Sequence, residues 1–466
     1  MKYLLTILFV LITVFSFSQE IKKTIKSITP KELGVYDKDL LPPSFHKSRR
    51  EELRKLMPDS SVAVFFASPI RNRSNDVDFE YHQDPNFYYL TGLNEPHAVV
   101  LIYKEKQVIN GVKTNEVIFV RKRNPSKELW NGKRLGVNGV KVLLGFTDVY
   151  ETSIFKSTEI QIDSLNYIFF IKDKNDTRNT SSKVDLYDLK KQFLEKSTVK
   201  NGSNYLKRWM GILREIKTKE ELVLMRKAID ITCKAQIELM KKLNPKMAEY
   251  QSEALVEYHF KNEGAEYTGF PTIHGSGENS CILHYTSSRR PMKKGDLLVS
   301  DIGAEYHGYT ADVTRTLPVT GKYSKEEALI YNIVLEAQTA GIEECTEGNS
   351  FWMPGRVANE IIAKRLLELG IIKELSEVKK YFPHGTSHYL GLDVHDLGNY
   401  GELKAGQVIT VEPGIYIPEG SDCDKKWWNI GVRIEDDILI TKGLPENLSD
   451  CVPRTIEEIE KVMRGK

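Results

Sequence analysis

DLLVSDIGAEYHGYTADVTRTLPV, residues 296–319, decides how the C-terminal half of this 466-residue chain reads. Two β-like runs flank Glu305-Tyr306-His307-Gly308, a polar stretch ending in glycine, so the segment is expected to form a hairpin. With those four residues as the loop, Ala304 pairs with Tyr309 and Asp301 stands opposite Asp312. Directly opposed residues share a face, with Cβ atoms about 5 Å apart. Both aspartates sit among apolar neighbours, where two uncompensated carboxylates are strongly unfavourable. Something cationic belongs between them, either a metal ion or an arginine. Arg315 is nearby, but its odd spacing from Asp312 sends it to the opposite face of a regular strand.

Outward from that hairpin the texture is that of an α+β domain. Thr218 with Glu221 and Ser324 with Glu327 have the capping-box form and open two long amphipathic helices on either side of the β-rich block at 280–320. A further helical stretch, VANEIIAKRLLELG, precedes a second β-rich block at 405–442. Helices in runs and strands in antiparallel-looking pairs argue against a doubly wound sheet. In the N-terminal half, SVAVFFASP, HAVVLIYKE, NEVIFVRKR and NYIFFIKDK are strand candidates of a smaller α/β domain. The polar NDTRNTSSK is expected as a surface loop, and VKNGSN as a linker. The expected divisions are a signal segment at 1–18, a polar leader at 19–45, an N-terminal domain at 46–200, a catalytic domain at 206–455 and a C-terminal tail at 456–466.

Composition excludes several classes. Lys+Arg 66 against Asp+Glu 64 leaves a formal charge of +2, which gives no basis for nucleic-acid binding. Five cysteines without a C-x-x-C pair argue against a disulfide scaffold and a thiolate zinc module. Free buried thiols are expected, with a Cys423–Cys451 bridge as the alternative in an oxidising compartment. Residues 3–17 form an almost unbroken apolar run behind Lys2, and Ser16-Phe17-Ser18 places small residues before Gln19. That is the order of a secretory signal, and the run is shorter than the roughly 20 residues of a membrane span. The protein is therefore expected to be exported, periplasmic or secreted, without stable membrane insertion after signal cleavage.

Three more segments carry chemistry. HGTSHYLGLDVHD holds three of the ten histidines, His384, His388 and His395, beside the expected carboxylate pair. It is not H-E-x-x-H, because Gly385 stands at the glutamate position. Glu412 in VITVEPGIYI and Glu435 in GVRIEDDILIT each follow apolar, strand-like runs. Alternation groups Arg433, Glu435 and Asp437 on one face and Ile434, Asp436 and Ile438 on the other. For either glutamate alone, an arginine–carboxylate pair within the sheet is the competing explanation. Together Asp301, Asp312, His388, Glu412 and Glu435 make an oxygen-rich set with a formal charge of −4 when ionised, which two divalent cations would neutralise. Ligand softness favours Mn²⁺, with Co²⁺ and Zn²⁺ as alternatives.

DIGAEYHGYTADVTRT, HGTSHYLGLDVHD, VEPGIYI and VRIED resemble the metal-site motifs of the pita-bread metallopeptidases, and specifically the aminopeptidase P (Xaa-Pro aminopeptidase) family. RNRSNDVDFEYHQDPNFYYLTGLNEP and LWNGKRLG resemble that family's creatinase-like N-terminal domain, so the likeness covers nearly everything after residue 45. It implies a C-terminal pita-bread catalytic domain and a homo-oligomer, dimer or tetramer. Its activity would be to release the N-terminal residue from peptides with proline second, using a metal-bridging hydroxide. By the same resemblance Asp312 and Glu435 bridge two ions, Asp301 chelates one, and His388 and Glu412 hold the other. Glu412 is also the general base. His284 and His395 steady the transition state, and His384 and Arg433 line the substrate pocket. An Xaa-Pro dipeptidase on the same scaffold and a non-catalytic binding paralogue remain the alternatives.

Overall fold

The computed structural model describes residues 29–171, 186–196 and 203–465. The expected signal segment and the NDTRNTSSK loop lie outside them. The chain divides into two units that meet at Leu213 and Arg214, inside the helix Ser203–Glu215.

The N-terminal unit is built on a five-stranded sheet in the order Val149–Glu151, Val112–Val120, Val99–Ile109, Ser61–Phe66, Tyr167–Phe170. Inner pairs are antiparallel and the two outermost pairs are parallel. The near-continuous apolar run at 61–66 fits this place, because a strand covered on both faces needs no polar alternation. Buried Arg50 is held by Glu116 at 2.8 Å and lies 4.0 Å over the Phe146 ring.

In the C-terminal unit both capping boxes form as read. Thr218 caps the helix Lys219–Lys242 and Ser324 caps Lys325–Glu343, and each glutamate three residues on returns a bond to its cap. Met353–Glu368 follows. These helices share one apolar core with short strands grouped into several small sheets. Leu297–Ile302 lies between Ile273–Ser276 and Val313–Pro318, Val408–Val411 pairs with Asp436–Leu439, and Gly414–Ile417 pairs with Ile430–Arg433.

Three expectations need correction. The hairpin does not turn through four residues. Tyr306 pairs with Tyr309, and the turn is His307-Gly308, both at positive φ (49° and 85°) as a type I′ turn requires. Asp301 therefore faces Thr314, not Asp312. The slip is by two residues, so side-chain parity survives. Residues 456–466 are not merely a tail, because Ile456–Arg464 is a helix capped by Thr455 that buries Ile459 and Met463. Free thiols are expected throughout, but a disulfide joins Cys233 to Cys451 (the alternative pairing of Cys423 with Cys451 does not form), and only Cys281, Cys345 and Cys423 are free. Among the described residues no helix is long and apolar enough to cross a membrane.

The disulfide ties the long helix Lys219–Lys242 to the segment after the last sheet across a sequence separation of 218. A link across so long a loop restricts the unfolded chain most strongly. Replacing both Cys233 and Cys451 by alanine is expected to cost about 2–5 kcal/mol of stability. Thermal melts of the variant with and without reductant measure it, and reductant should lower the melting temperature of the parent chain only.

Candidate metal and catalytic site

Three of the candidate ligands stand where a chain segment leaves one small sheet and enters another. Asp312 lies between Tyr309–Thr310 and Val313–Pro318, Glu412 between Val408–Val411 and Gly414–Ile417, and Glu435 between Ile430–Arg433 and Asp436–Leu439. At such breaks the backbone N–H groups find partners outside the regular ladders. Asp312 donates to the Asp437 carboxylate (3.2 Å), Glu412 to the Thr386 carbonyl (2.8 Å) and Glu435 to the Thr314 carbonyl (3.1 Å). A Cβ at Gly303, where the first break begins, would overlap the Ala311 carbonyl, so only glycine lets the two segments come this close.

The side chains converge as follows. His388 Nε2 lies 3.5 Å from Asp312 Oδ2 and 3.5 Å from Glu412 Oε1. Asp312, His388 and Glu435 each offer a ligand atom within 4.8 Å of the others. Thr314 Oγ1 donates to Glu435 Oε2 at 2.6 Å. Asp301 accepts from Arg433 Nη2 at 2.7 Å. The competing arginine explanation thus holds for Asp301 alone, since Arg433 hydrogen-bonds no other carboxylate of the set. Arg315 points away, as its spacing indicated, and pairs with buried Asp436 at 2.8 Å.

The rest of the set gathers around the same cluster. The His388 and His395 rings are 4.2 Å apart. His384 Nδ1 is 3.7 Å from Glu412 Oε2, and its Nε2 is 2.8 Å from the Tyr416 hydroxyl. That hydroxyl also meets Arg433 Nη1 at 2.8 Å. Gly414 makes room for it, because a Cβ there would come within 2.5 Å of the oxygen. His284 is close enough to His384 and His395 to disfavour their protonation, and Arg433 reaches the carbonyl of Leu283 beside it.

Electrostatics describe a site short of positive charge. Burial, reinforced by Glu435, Asp301, Asp437 and Glu412, pushes the Asp312 carboxyl well above its usual range. Burial with Glu412 and Asp301 does the same to Glu435. Glu412 is raised to about 8, chiefly by burial, with Asp301 adding and Arg433 opposing. Burial lowers His388 and His384 to about 4, so both imidazoles are neutral at pH 7 and each offers a lone pair. Asp301 Oδ1 and Asp312 Oδ1 are buried with no hydrogen-bond partner. Four carboxylates, one neutral imidazole aimed at two of them, and two unsatisfied oxygens are what hard divalent cations require, and the residues fit that group.

Two residues of the site were missed by motif reading: Thr314 and Tyr416. Each follows a ligand at even spacing on the same stretch, two after Asp312 and four after Glu412. Counting alternate positions outward from each ligand would have found them.

The match extends to known proteins. The family model described as metallopeptidase family M24 covers residues 223–442, and the one described as aminopeptidase P, N-terminal domain, covers 46–165. The Xaa-Pro aminopeptidase of Escherichia coli is 36% identical over 431 residues, spanning 89% of this chain and 96% of that protein. Its counterpart in Haemophilus influenzae is 35% identical over 439 residues, spanning 91% and 98%. Among solved structures, the aminopeptidase PepP of Pseudomonas aeruginosa superposes with a TM-score of 0.83 at 31% identity, covering 92% of this chain and 99% of that one. Zinc-substituted E. coli aminopeptidase P in complex with product gives 0.81 at 34%, covering 91% and 99%.

The raised carboxyls fix the sign of a pH effect. A group whose folded-state pKa lies above its unfolded value holds an extra proton in the folded chain. Its stabilising contribution is present below about pH 4.5 and is lost as pH rises through about 8, the value for Glu412. Cations replace those protons. The increase in melting temperature on adding Mn²⁺ to chelator-treated protein should therefore be larger at pH 8.5 than at pH 5.5. An equal or smaller increase at pH 8.5 would show that these carboxyls do not hold the metal.

Proposed function

Because the chain belongs to metallopeptidase family M24, with the aminopeptidase P N-terminal domain ahead of its catalytic unit, we propose that it removes the first residue from peptides whose second residue is proline. Family membership makes it a metal-dependent peptidase. The observation that carries the finer reading is the gathering of Asp301, Asp312, His388, Glu412 and Glu435 into one cluster with two unpaired buried oxygens.

In this reading Asp301, Asp312, His388, Glu412 and Glu435 would hold two divalent ions, Mn²⁺ by ligand chemistry. When bound, such a pair supplies hydroxide at neutral pH and polarises the carbonyl under attack. Glu412 accepts a proton as the nucleophile forms and delivers it to the leaving proline nitrogen. His395 and His284 donate hydrogen bonds to the oxygen as it gains charge. His384, Tyr416 and Arg433 form one hydrogen-bonded wall beside Glu412, and that wall faces the peptide. An Xaa-Pro bond has no N–H, so proline is recognised by shape rather than by a donor.

Export is part of the same proposal. It is supported by the apolar run at 3–17 and by the Cys233–Cys451 disulfide, which belongs to an oxidising compartment. A dimer or tetramer is proposed on the family resemblance.

The test offers Xaa-Pro, Xaa-Pro-Yaa-Zaa and Xaa-Ala-Yaa-Zaa together to metal-loaded protein, with mass spectrometry of the products. Loss of one residue from Xaa-Pro-Yaa-Zaa alone is expected. Cleavage of only the dipeptide would make it a dipeptidase, and no cleavage despite metal uptake would leave a binding protein. His395→Ala should lower kcat by about 10²–10³-fold, the usual cost of one oxyanion donor. Mass measurement of protein recovered outside the cytoplasm should give a chain starting at Gln19.

A further inference from the structure

Asp396 directly follows His395, and its buried carboxylate lies between two buried cations. Arg214 Nη2 donates to Oδ1, and Lys217 Nζ donates to Oδ2 at 3.0 Å. The side chains of all three are 1% exposed. The Asp396 N–H meanwhile donates to the Tyr389 carbonyl at 2.8 Å, and Oδ1 accepts the Leu397 N–H at 2.8 Å. The bond from Asp396 to Tyr389 closes the loop that starts at His388 and ends at His395. The two rings lie 4.2 Å apart.

The cations come from one short stretch, Arg214-Glu215-Ile216-Lys217, which grips the loop at several points. Arg214 also reaches Asp393 at 3.1 Å. Glu215 accepts the Asn399 N–H at 2.8 Å and Lys404 Nζ at 3.0 Å. The Lys217 N–H donates to the Gly406 carbonyl at 2.8 Å. Glycine at 391 belongs to the same arrangement, since a Cβ there would overlap the Asp396 carboxylate. A buried carboxylate between two buried cations has no freedom to move without leaving a charge unpaired. It is thus a rigid anchor one residue from a group that must be aimed.

We propose that Asp396, clamped by Arg214 and Lys217, is a positioning residue that holds His395 in register with the metal ligand His388. This rests on the reading of His395 as a donor to the reacting carbonyl oxygen. The clamp acts on turnover and leaves peptide affinity alone, because it touches neither the wall formed by His384, Tyr416 and Arg433 nor the carboxylate ligands.

The test is a double-mutant cycle of Asp396→Asn with His395→Ala in the full chain loaded with metal. Asp396→Asn alone should lower kcat by about 10–100-fold, the usual effect of removing a partner that orients a metal-site group. KM should stay within about twofold, and in the His395→Ala background the same change should cost less than about threefold. Equal losses in both backgrounds, or a change confined to KM, would overturn the proposal. Should Asp396→Asn fold poorly, Lys217→Met keeps the Arg214 pair and enters the same cycle. If the parent chain cleaves no Xaa-Pro peptide, the proposed function fails on its own, and the clamp is read from the imidazole NMR signals of the zinc-loaded protein. There the His395 resonance, identified by its loss in His395→Ala, should shift in Asp396→Asn. An unmoved resonance would refute the clamp.

Discussion

Four carboxylates drawn together around one imidazole, with one guanidinium beside them, are the constraint on which the C-terminal unit turns. Ordinary folding does not assemble such a group, because burial, reinforced by neighbouring carboxylates, raises the proton affinity of Asp312, Glu412 and Glu435. The sheet is broken at the positions that require it. Asp312, Glu412 and Glu435 each occupy a switch between two short strands, and their backbone donors are satisfied by neighbours on other segments. A continuous ladder would hold these side chains in strict alternation. The breaks free them to converge, at the expense of strand length.

The surrounding core makes the breaks tolerable. Long capped helices pack across the short strands and supply the rigidity that the strands lack. Arg315 shows the division of labour most plainly. It pairs with Asp436 on the face away from the cluster and donates to the carbonyls of Thr314 and Glu435, so that it braces two ligand-bearing segments from behind. Ion pairing on the far face is structural, while the near face is left short of cations for the metal.

Much of this was legible in the sequence because side-chain parity is robust. Alternation placed Arg433 near Glu435 and sent Arg315 away, and the structure has both. Capping boxes located two helix starts to the residue, since the S/T-x-x-E pattern encodes its own hydrogen bonds. The hairpin register was not legible. His307 adopts positive φ in a two-residue turn where asparagine, aspartate or glycine is the usual signal, so the turn looked longer than it is. The disulfide partner was equally hidden, because pairing Cys233 with Cys451 depends on where a helix packs and not on spacing. Tyr416 escaped notice because a tyrosine within an apolar strand looks like core until its hydroxyl is found between His384 and Arg433.

The Cys233–Cys451 bond encloses more than a long stretch of chain. Asp301, Asp312, His388, Glu412, Glu435, His284, His384, His395 and Arg433 all lie within the covalent ring it closes. A single proteolytic nick inside that ring, for example in the largely exposed stretch at 419–426, would open the ring without releasing a fragment. The two pieces would stay bonded and packed, each still carrying its share of the ligands. Outside the cytoplasm, where proteases are common and thiols are scarce, such a molecule keeps its catalytic apparatus in one piece after damage. In a reducing compartment the same cut would leave the halves joined by packing alone.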